Sequence, residues 1–252
     1  MLIELHPSFL NCEGKLLGSL IAGSNLYGLS TKNSDVDYRG LFLATGKKYI
    51  TGFDKIESIV TTGDIDSAYY ELVRYFQLLR KSNTQVLEII FAPNDALTYT
   101  TPIFQEIRDN KYKLIDSHVL KASLKGYVFS ELRLATGERL GKLGGARKLA
   151  VDKYGFSYKN FVQILRLIKV GQLFFTTGEY MVKVKDFDPD YHDLLMELKT
   201  TPENFTKNQL SSMVDEEFKS MVNIMDDSKI SFKFDTELAA DLVMAARSDP
   251  QL

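Results

Sequence analysis

The sequence predicts an α+β fold, a small mixed sheet with flanking helices followed by a helical domain. Short apolar runs bounded by glycine or turn residues, the pattern of buried strands, cluster before about residue 112. Beyond that point apolar residues recur at three- and four-residue spacing, the pattern of amphipathic helices. The chain has 252 residues, 44% of them hydrophobic and 25% charged, which is ordinary for a globular protein and ample for a buried core. The expected domains are therefore 1–112 and 113–252, with no Pro- or Ser-rich linker at the boundary.

Leu16 to Ala22 is a buried strand by its apolar run and flanking glycines. It leads into Gly23-Ser24-Asn25-Leu26-Tyr27-Gly28, a turn or helix start. Val36 to Leu43 alternates as a second strand, and Lys55 to Asp66 reads as a third. Leu72, Val73, Phe76 and Leu79 place an amphipathic helix over Ala68 to Lys81. Asn83-Thr84 caps the next helix, which Pro93 ends. Further helices are expected over 101–110, 117–140, 158–176, 189–199, 206–226 and 235–247. Lys142 to Arg147 reads as a basic, glycine-rich connection.

Several function classes drop out early. The formal net charge of −2 gives no global footprint for nucleic acid, so such binding needs a local patch. Cys12 is the only cysteine, which rules out an intramolecular disulfide and a cysteine-based zinc site. The apolar stretch Leu16 to Ala22 is too short for a membrane span, and the start lacks a secretory pattern. The expected location is cytosolic, with no membrane partner. His6, His118 and His192 are scattered, without metal-ligand or triad arrangement. Tyr69, Tyr70 and Tyr75 read as core or hinge aromatics.

The chemistry concentrates in Asp35-Val36-Asp37. Strand alternation puts Asp35 and Asp37 on one side, with Arg39 in phase. Two neighbouring carboxylates repel and stay ionised most easily with a cation between them. Hard divalent ions such as Mg²⁺ take carboxylate oxygens and bridge them to phosphates. Asp-x-Asp alone is common in surface loops that bind nothing. Ten residues separate Ser24 of Gly23-Ser24 from Asp35. A glycine there lets backbone approach a ligand, a following helix N-terminus offers N–H groups, and the serine adds a hydroxyl. The bland alternative is a plain strand-to-helix connection.

Gly23-Ser24, the spacer and Asp35-Val36-Asp37 together resemble the signature of the DNA polymerase β nucleotidyltransferase superfamily. The string GSNLYGLSTKNSDVDYRGLF resembles one branch, the predicted nucleotidyltransferase family associated with RNA-repair operons and also found in phages. YYELVRYFQLLRKSNTQVLEIIFAP and GFSYKNFVQILRLIKVGQLFFTTGE extend the likeness over roughly residues 16–180. The resemblance implies a polymerase β-type nucleotidyltransferase domain and a helical substrate-binding domain. It implies transfer of a nucleotide from a nucleoside triphosphate to an acceptor hydroxyl, with release of pyrophosphate. By that analogy Gly23 and Ser24 hold the triphosphate, and Asp35 and Asp37 hold Mg²⁺ or Mn²⁺. In such a mechanism one ion activates the hydroxyl and the other stabilises the leaving phosphate.

The superfamily has a third acidic residue on a neighbouring strand. Asp66 is the preferred candidate, at the end of the third expected strand, with Asp64 on the same face as an alternative. Glu71, the other candidate, falls in the expected helix, as a solvated or supporting position. The competing reading of Asp66 is a helix N-cap. For triphosphate charge the candidates are Arg39, Lys159 and Arg166. Arg39 could instead pair with one of the aspartates. Lys159 and Arg166 stand seven residues apart and so share a helix face, where they could also be solvated charges. The family segment often has a histidine between them; Gln163 stands here, which argues against proton transfer on this helix. Arg139, Lys142, Arg147 and Lys148 around Gly141, Gly144 and Gly145 form no P-loop, but could touch a polynucleotide backbone.

The leading functional reading is a metal-dependent nucleotidyltransferase with a nucleoside triphosphate substrate and an RNA 3′ end, tRNA-like, as acceptor. A protein side chain or small molecule is an alternative acceptor. Two other classes compete: a non-catalytic nucleotide or nucleic-acid binding module, and a toxin or anti-defence protein that nucleotidylates a tRNA or protein.

Overall fold

Residues 2–63, 65–138 and 145–250 are described in the computed structural model of the protein. The chain forms two compact units, Met1–Leu120 with Phe232–Leu252, and Lys121–Ser231. The C-terminal segment thus belongs to the first unit, where the sequence placed it with the helical part.

The first unit is an α+β structure. A short helix α1 (Pro7–Asn11) leads into β1 (Lys15–Ala22), then the single turn α2 (Gly23–Leu26), β2 (Asp37–Leu43) and α3 (Lys47–Ile50). After these come β3 (Ser58–Thr61), β4 (Ser67–Glu71), α4 (Leu72–Arg80), α5 (Thr84–Phe91), β5 (Leu97–Thr100) and α6 (Pro102–Asp109). The five strands lie in the order β3-β4-β2-β1-β5. Strands β2 and β4 are parallel, and the other pairs are antiparallel. The sheet is therefore mixed, as expected. The run expected as a buried strand is β1, whose Leu16, Leu17, Leu20 and Ala22 are all buried. On one face Phe42 and Tyr69 pack with Phe9, Cys12, Leu16 and Ile59. Tyr69 also shares a 3.0 Å hydrogen bond with the Ser19 hydroxyl across the sheet.

Two expected elements are corrected. The third strand is not Lys55 to Asp66 but only Ser58–Thr61, and Asp66 stands just before β4. The helix expected over Ala68 to Lys81 begins at Leu72, because Ser67–Glu71 is strand. Its burial alternates from Ser67 to Glu71, with Ser67, Tyr69 and Glu71 buried. That period of two was masked by the helical spacing that starts at Leu72. Glu71 is consequently the last strand residue and the cap of α4, accepting hydrogen bonds from Val73 N at 2.8 Å and Arg74 N at 3.4 Å. Asn83 caps α5 as expected, through Gln85 N and Val86 N.

The helix α7 (Ser117–Ala135) stops short of the expected residue 140. Arg139, Gly141, Lys142 and Gly144 of the expected basic connection lie outside the described residues, as does Asp64. Arg147 and Lys148 are exposed on α8 (Gly145–Tyr154). Next come α9 (Tyr158–Thr177), α10 (Pro189–Thr200), α11 (Lys207–Asp227) and, in the first unit, α12 (Thr236–Ser248). In the second unit α9 packs on α11, closely enough that a Cβ on Gly171 would meet Met221 Sδ at 2.8 Å. Lys169 joins them through Glu217 at 3.1 Å. Among the described residues no helix is long and apolar enough to cross a membrane.

Candidate active site

The candidate site gathers where the end of β1 meets the start of β2. Ala22 is in register with Asp37, so the chain leaves β1 beside the first residue of β2. Gly23 turns there with φ +61°, a left-handed conformation that costs a glycine little. A Cβ at this position would stand 1.8 Å from Asp37 Oδ2. The glycine is therefore required twice, by its backbone angle and by the carboxylate against it. Ser24 follows, half-buried, in the single turn α2. The helix N-terminus expected to face phosphate is thus only one turn long.

Asp35 precedes β2 rather than lying in it, and is exposed. Strand alternation does not fix its direction. Its carbonyl is held by Asn25 Nδ2 at 3.0 Å, which ties the approach to β2 back to α2. Asp37 is half-buried. Asp66 reaches the same level from the neighbouring strand, since its carbonyl accepts from Tyr38 N at 2.9 Å. Its exposed carboxylate, however, accepts from Gly63 N at 3.2 Å and closes the β3–β4 turn. Among the described residues no three His, Cys, Asp or Glu side chains gather closely enough to hold a metal ion. Asp35 and Asp37 nonetheless offer the carboxylate oxygens that suit a hard divalent cation.

Glu71 does not belong to this group. It is in register with Phe42, an odd number of residues along β2 from Asp37, and so projects to the opposite side of the sheet.

Arg39 shares the Asp37 face by strand alternation. Its guanidinium pairs with Glu88 on α5, at 3.0 Å. Glu88 is 1% exposed and also accepts the Tyr27 hydroxyl at 2.6 Å. Burial by itself would lower the Arg39 pKa; the charges of Tyr27, Glu88, Tyr70 and Asp37 outweigh it and raise it instead. Arg39 therefore carries a fixed positive charge close to Asp37.

Comparison with known proteins decides the family. Residues 5–226 match the RNA repair pathway DNA polymerase beta family. The chain belongs to that family. No protein of curated function matches the sequence. Among solved structures, the chain is similar to a nucleotidyltransferase-like protein from Exiguobacterium sibiricum 255-15. That likeness has 11% identity and a TM-score of 0.33, over 84% of this chain and 69% of the other.

The other residues expected to bind nucleotide in this family member belong to the second unit. Lys159 is exposed at the start of α9, whereas Arg166 is fully buried, with Nε donating to Gln163 Oε1 at 3.2 Å. The two positions share a helical phase but not an environment.

Sequence reasoning missed Glu88. Its signal was a single carboxylate inside the apolar helix TQVLEIIF, where a charge persists only if paired. A second omission lies near α9. Asn160, 1% exposed, accepts Ser157 Oγ at 2.6 Å and donates to Glu131 Oε2 at 2.6 Å.

Proposed function

We propose that this protein is a divalent-metal-dependent nucleotidyltransferase that moves a nucleotide from a nucleoside triphosphate to an RNA 3′ hydroxyl, with release of pyrophosphate. The observation that carries this reading is the packing of Gly23 against the Asp37 carboxylate. It joins the two halves of the motif, a backbone turn open to phosphate and a carboxylate suited to a cation.

In this reading Asp35 and Asp37 hold Mg²⁺ or Mn²⁺, and Asp66 completes the set by leaving its turn hydrogen bond to Gly63. The metal supplies charge neutralisation at the triphosphate and lowers the pKa of the acceptor hydroxyl. The Gly23 backbone and Ser24 hydroxyl orient the triphosphate. Arg39, paired with Glu88, adds positive charge at the same sheet face. The acceptor hydroxyl gives its proton to the Asp66 carboxylate, its oxygen bonds to the α-phosphorus, the bond to the bridging oxygen breaks, and pyrophosphate leaves with the electron pair. Lys159 and Arg166 of the helical unit are the further cations that this reading reserves for nucleotide or acceptor. For Arg166 this requires its side chain to be uncovered, since it is fully buried. The RNA acceptor rests on the RNA-repair description of the family.

The test incubates the protein with each α-labelled triphosphate, Mg²⁺ or Mn²⁺, and separate RNA, DNA and protein acceptors. Transfer to RNA that needs metal and is lost in Asp35→Ala and Asp37→Ala is expected. Label on protein alone would redirect the acceptor. No transfer under any condition, or full transfer by both variants, would overturn the assignment.

A further inference from the structure

Glu88 stands at the junction of the elements that build the candidate site. It is sealed, 1% exposed, while the Arg39 side chain that it pairs with is 17% exposed and shares the Asp37 face of the sheet. Helix α5 supplies both acceptors of that guanidinium. Nη1 donates to Glu88 Oε2 at 3.0 Å and, more weakly, to Gln85 O at 3.4 Å. The same Glu88 oxygen accepts the Tyr27 hydroxyl at 2.6 Å. Tyr27 is buried and comes directly after the α2 turn that contains Gly23 and Ser24. One carboxylate oxygen thus joins that turn to the strand of Asp37 and Arg39.

Helix α5 is itself pinned. The fully buried Tyr75 donates its hydroxyl to Val86 O at 3.1 Å. At the C-terminal end Arg108 closes the last turn, with Nη1 to Ile89 O at 3.3 Å and Nη2 to Ala92 O at 2.7 Å. Glu88 therefore stands on a fixed wall. Stability alone does not account for a carboxylate there. Its neighbours Leu87, Ile89 and Ile90 are apolar and buried, and replacing a buried ion pair by apolar side chains is often neutral or stabilising. What the pair provides is asymmetry. The anion is sealed and the cation keeps some exposure, so a fixed positive charge is presented at the Asp37 face.

We propose that Glu88 is a positioning residue for nucleotidyl transfer, acting through Arg39 and, by way of Tyr27, through the Gly23-Ser24 turn; this rests on the nucleotidyltransferase reading above. Glu88 holds the Arg39 guanidinium where a preorganised positive charge stabilises the charge that develops as pyrophosphate leaves. Tyr27 fixes the turn that orients the triphosphate before reaction. The first arm is therefore read in kcat and the second in KM.

The experiment is a double-mutant cycle on the full chain, read as kcat and KM for an α-labelled triphosphate in Mg²⁺. Glu88→Gln keeps the shape and a carbonyl that can accept the Tyr27 hydroxyl, but removes the counterion of Arg39. Arg39→Met keeps an apolar stem and removes the cation. Alone, Glu88→Gln is expected to lower kcat about 10- to 100-fold, the scale on which outer partners of a reactive site act. In the Arg39→Met background it is expected to lower kcat no further. Tyr27→Phe removes one hydroxyl and is expected to raise KM about 2- to 10-fold, the worth of one hydrogen bond. Melting curves check that each variant folds. Should Glu88→Gln not fold, the same cycle is run with Glu88→Asp, which keeps the charge but sets it one methylene back. A kcat loss of equal size with and without Arg39 would mean that Glu88 acts only on the fold, and overturns the proposal. Unchanged kcat in a folded Glu88→Gln protein overturns it too, and unchanged KM in Tyr27→Phe overturns the Tyr27 arm. Absence of transfer by the wild type would bring down the underlying reading as well, so the two failures are told apart.

Discussion

Glu88 and Glu71 are two carboxylates on the same small unit, 1% and 7% exposed, with opposite surroundings. Glu88 receives the Tyr27 hydroxyl and the Arg39 guanidinium, so its charge is matched inside the protein. Glu71 caps α4 with one oxygen, and its other oxygen is buried with no hydrogen-bond partner. Burial alone does not assign a carboxylate its role; the identity of its donors does. A carboxylate satisfied by the fold positions its neighbours, and one left half-satisfied is held at a cost in stability.

Four changes would break or sharpen this contrast. The largest effect is expected at the residue that builds the Asp37 side of the sheet. Gly23→Ala forces a Cβ into the Asp37 carboxylate, and displacement of a catalytic group by about 1 Å can cost about 100-fold in rate. Unchanged transfer by this variant would detach Gly23 from the site. Next, Glu88→Ala leaves the half-buried Arg39 without its counterion and should cost more in urea unfolding than the about 1 kcal/mol of an exposed pair. Loss below about 1 kcal/mol, the range of exposed pairs, would place Arg39 in solvent instead.

The third change uses pH. Because the folded pKa of Glu71 lies above its ordinary 4.5, ionising it opposes folding. Its contribution is fully present below that value and is lost as pH rises through the folded pKa. Wild type should therefore lose stability relative to Glu71→Gln as pH rises from acid to neutral, and parallel unfolding curves would contradict the half-satisfied state. The smallest effect is expected for Asn83→Ala, which removes the cap of the helix carrying Glu88. A loss of about 1 kcal/mol is expected, with transfer changed only through stability.

The sequence made the Asp37 side of the sheet legible, but neither half of this contrast. The apolar run of β1, the glycine turn and the paired aspartates were all visible as local patterns, and the structure brings Gly23 onto Asp37 as the motif demands. Asn83 was legible for the same reason, because a cap acts within three residues. Long-range partners were not. The Arg39–Glu88 pair joins residues 49 apart, and no spacing rule connects them. Strand β4 was hidden because Tyr69 and Tyr70 precede a helical periodicity that absorbs them, so Glu71 read as a helix residue. Arg166 and Lys159 show the same limit. Helical phase says which side chains point together, but packing decides which of them is buried.

The central claim is that the Asp37 charge drives nucleotidyl transfer, and Asp37→Asn tests it most directly, since it keeps the shape and removes the charge. Single-turnover transfer of an α-labelled triphosphate in Mg²⁺ would be compared for this variant and wild type, alongside their melting curves. A loss of about 100- to 1,000-fold or more, the scale set by removing one electrostatic catalytic group, with melting unchanged, is the predicted result. Transfer at the wild-type rate by a folded Asp37→Asn protein would contradict it.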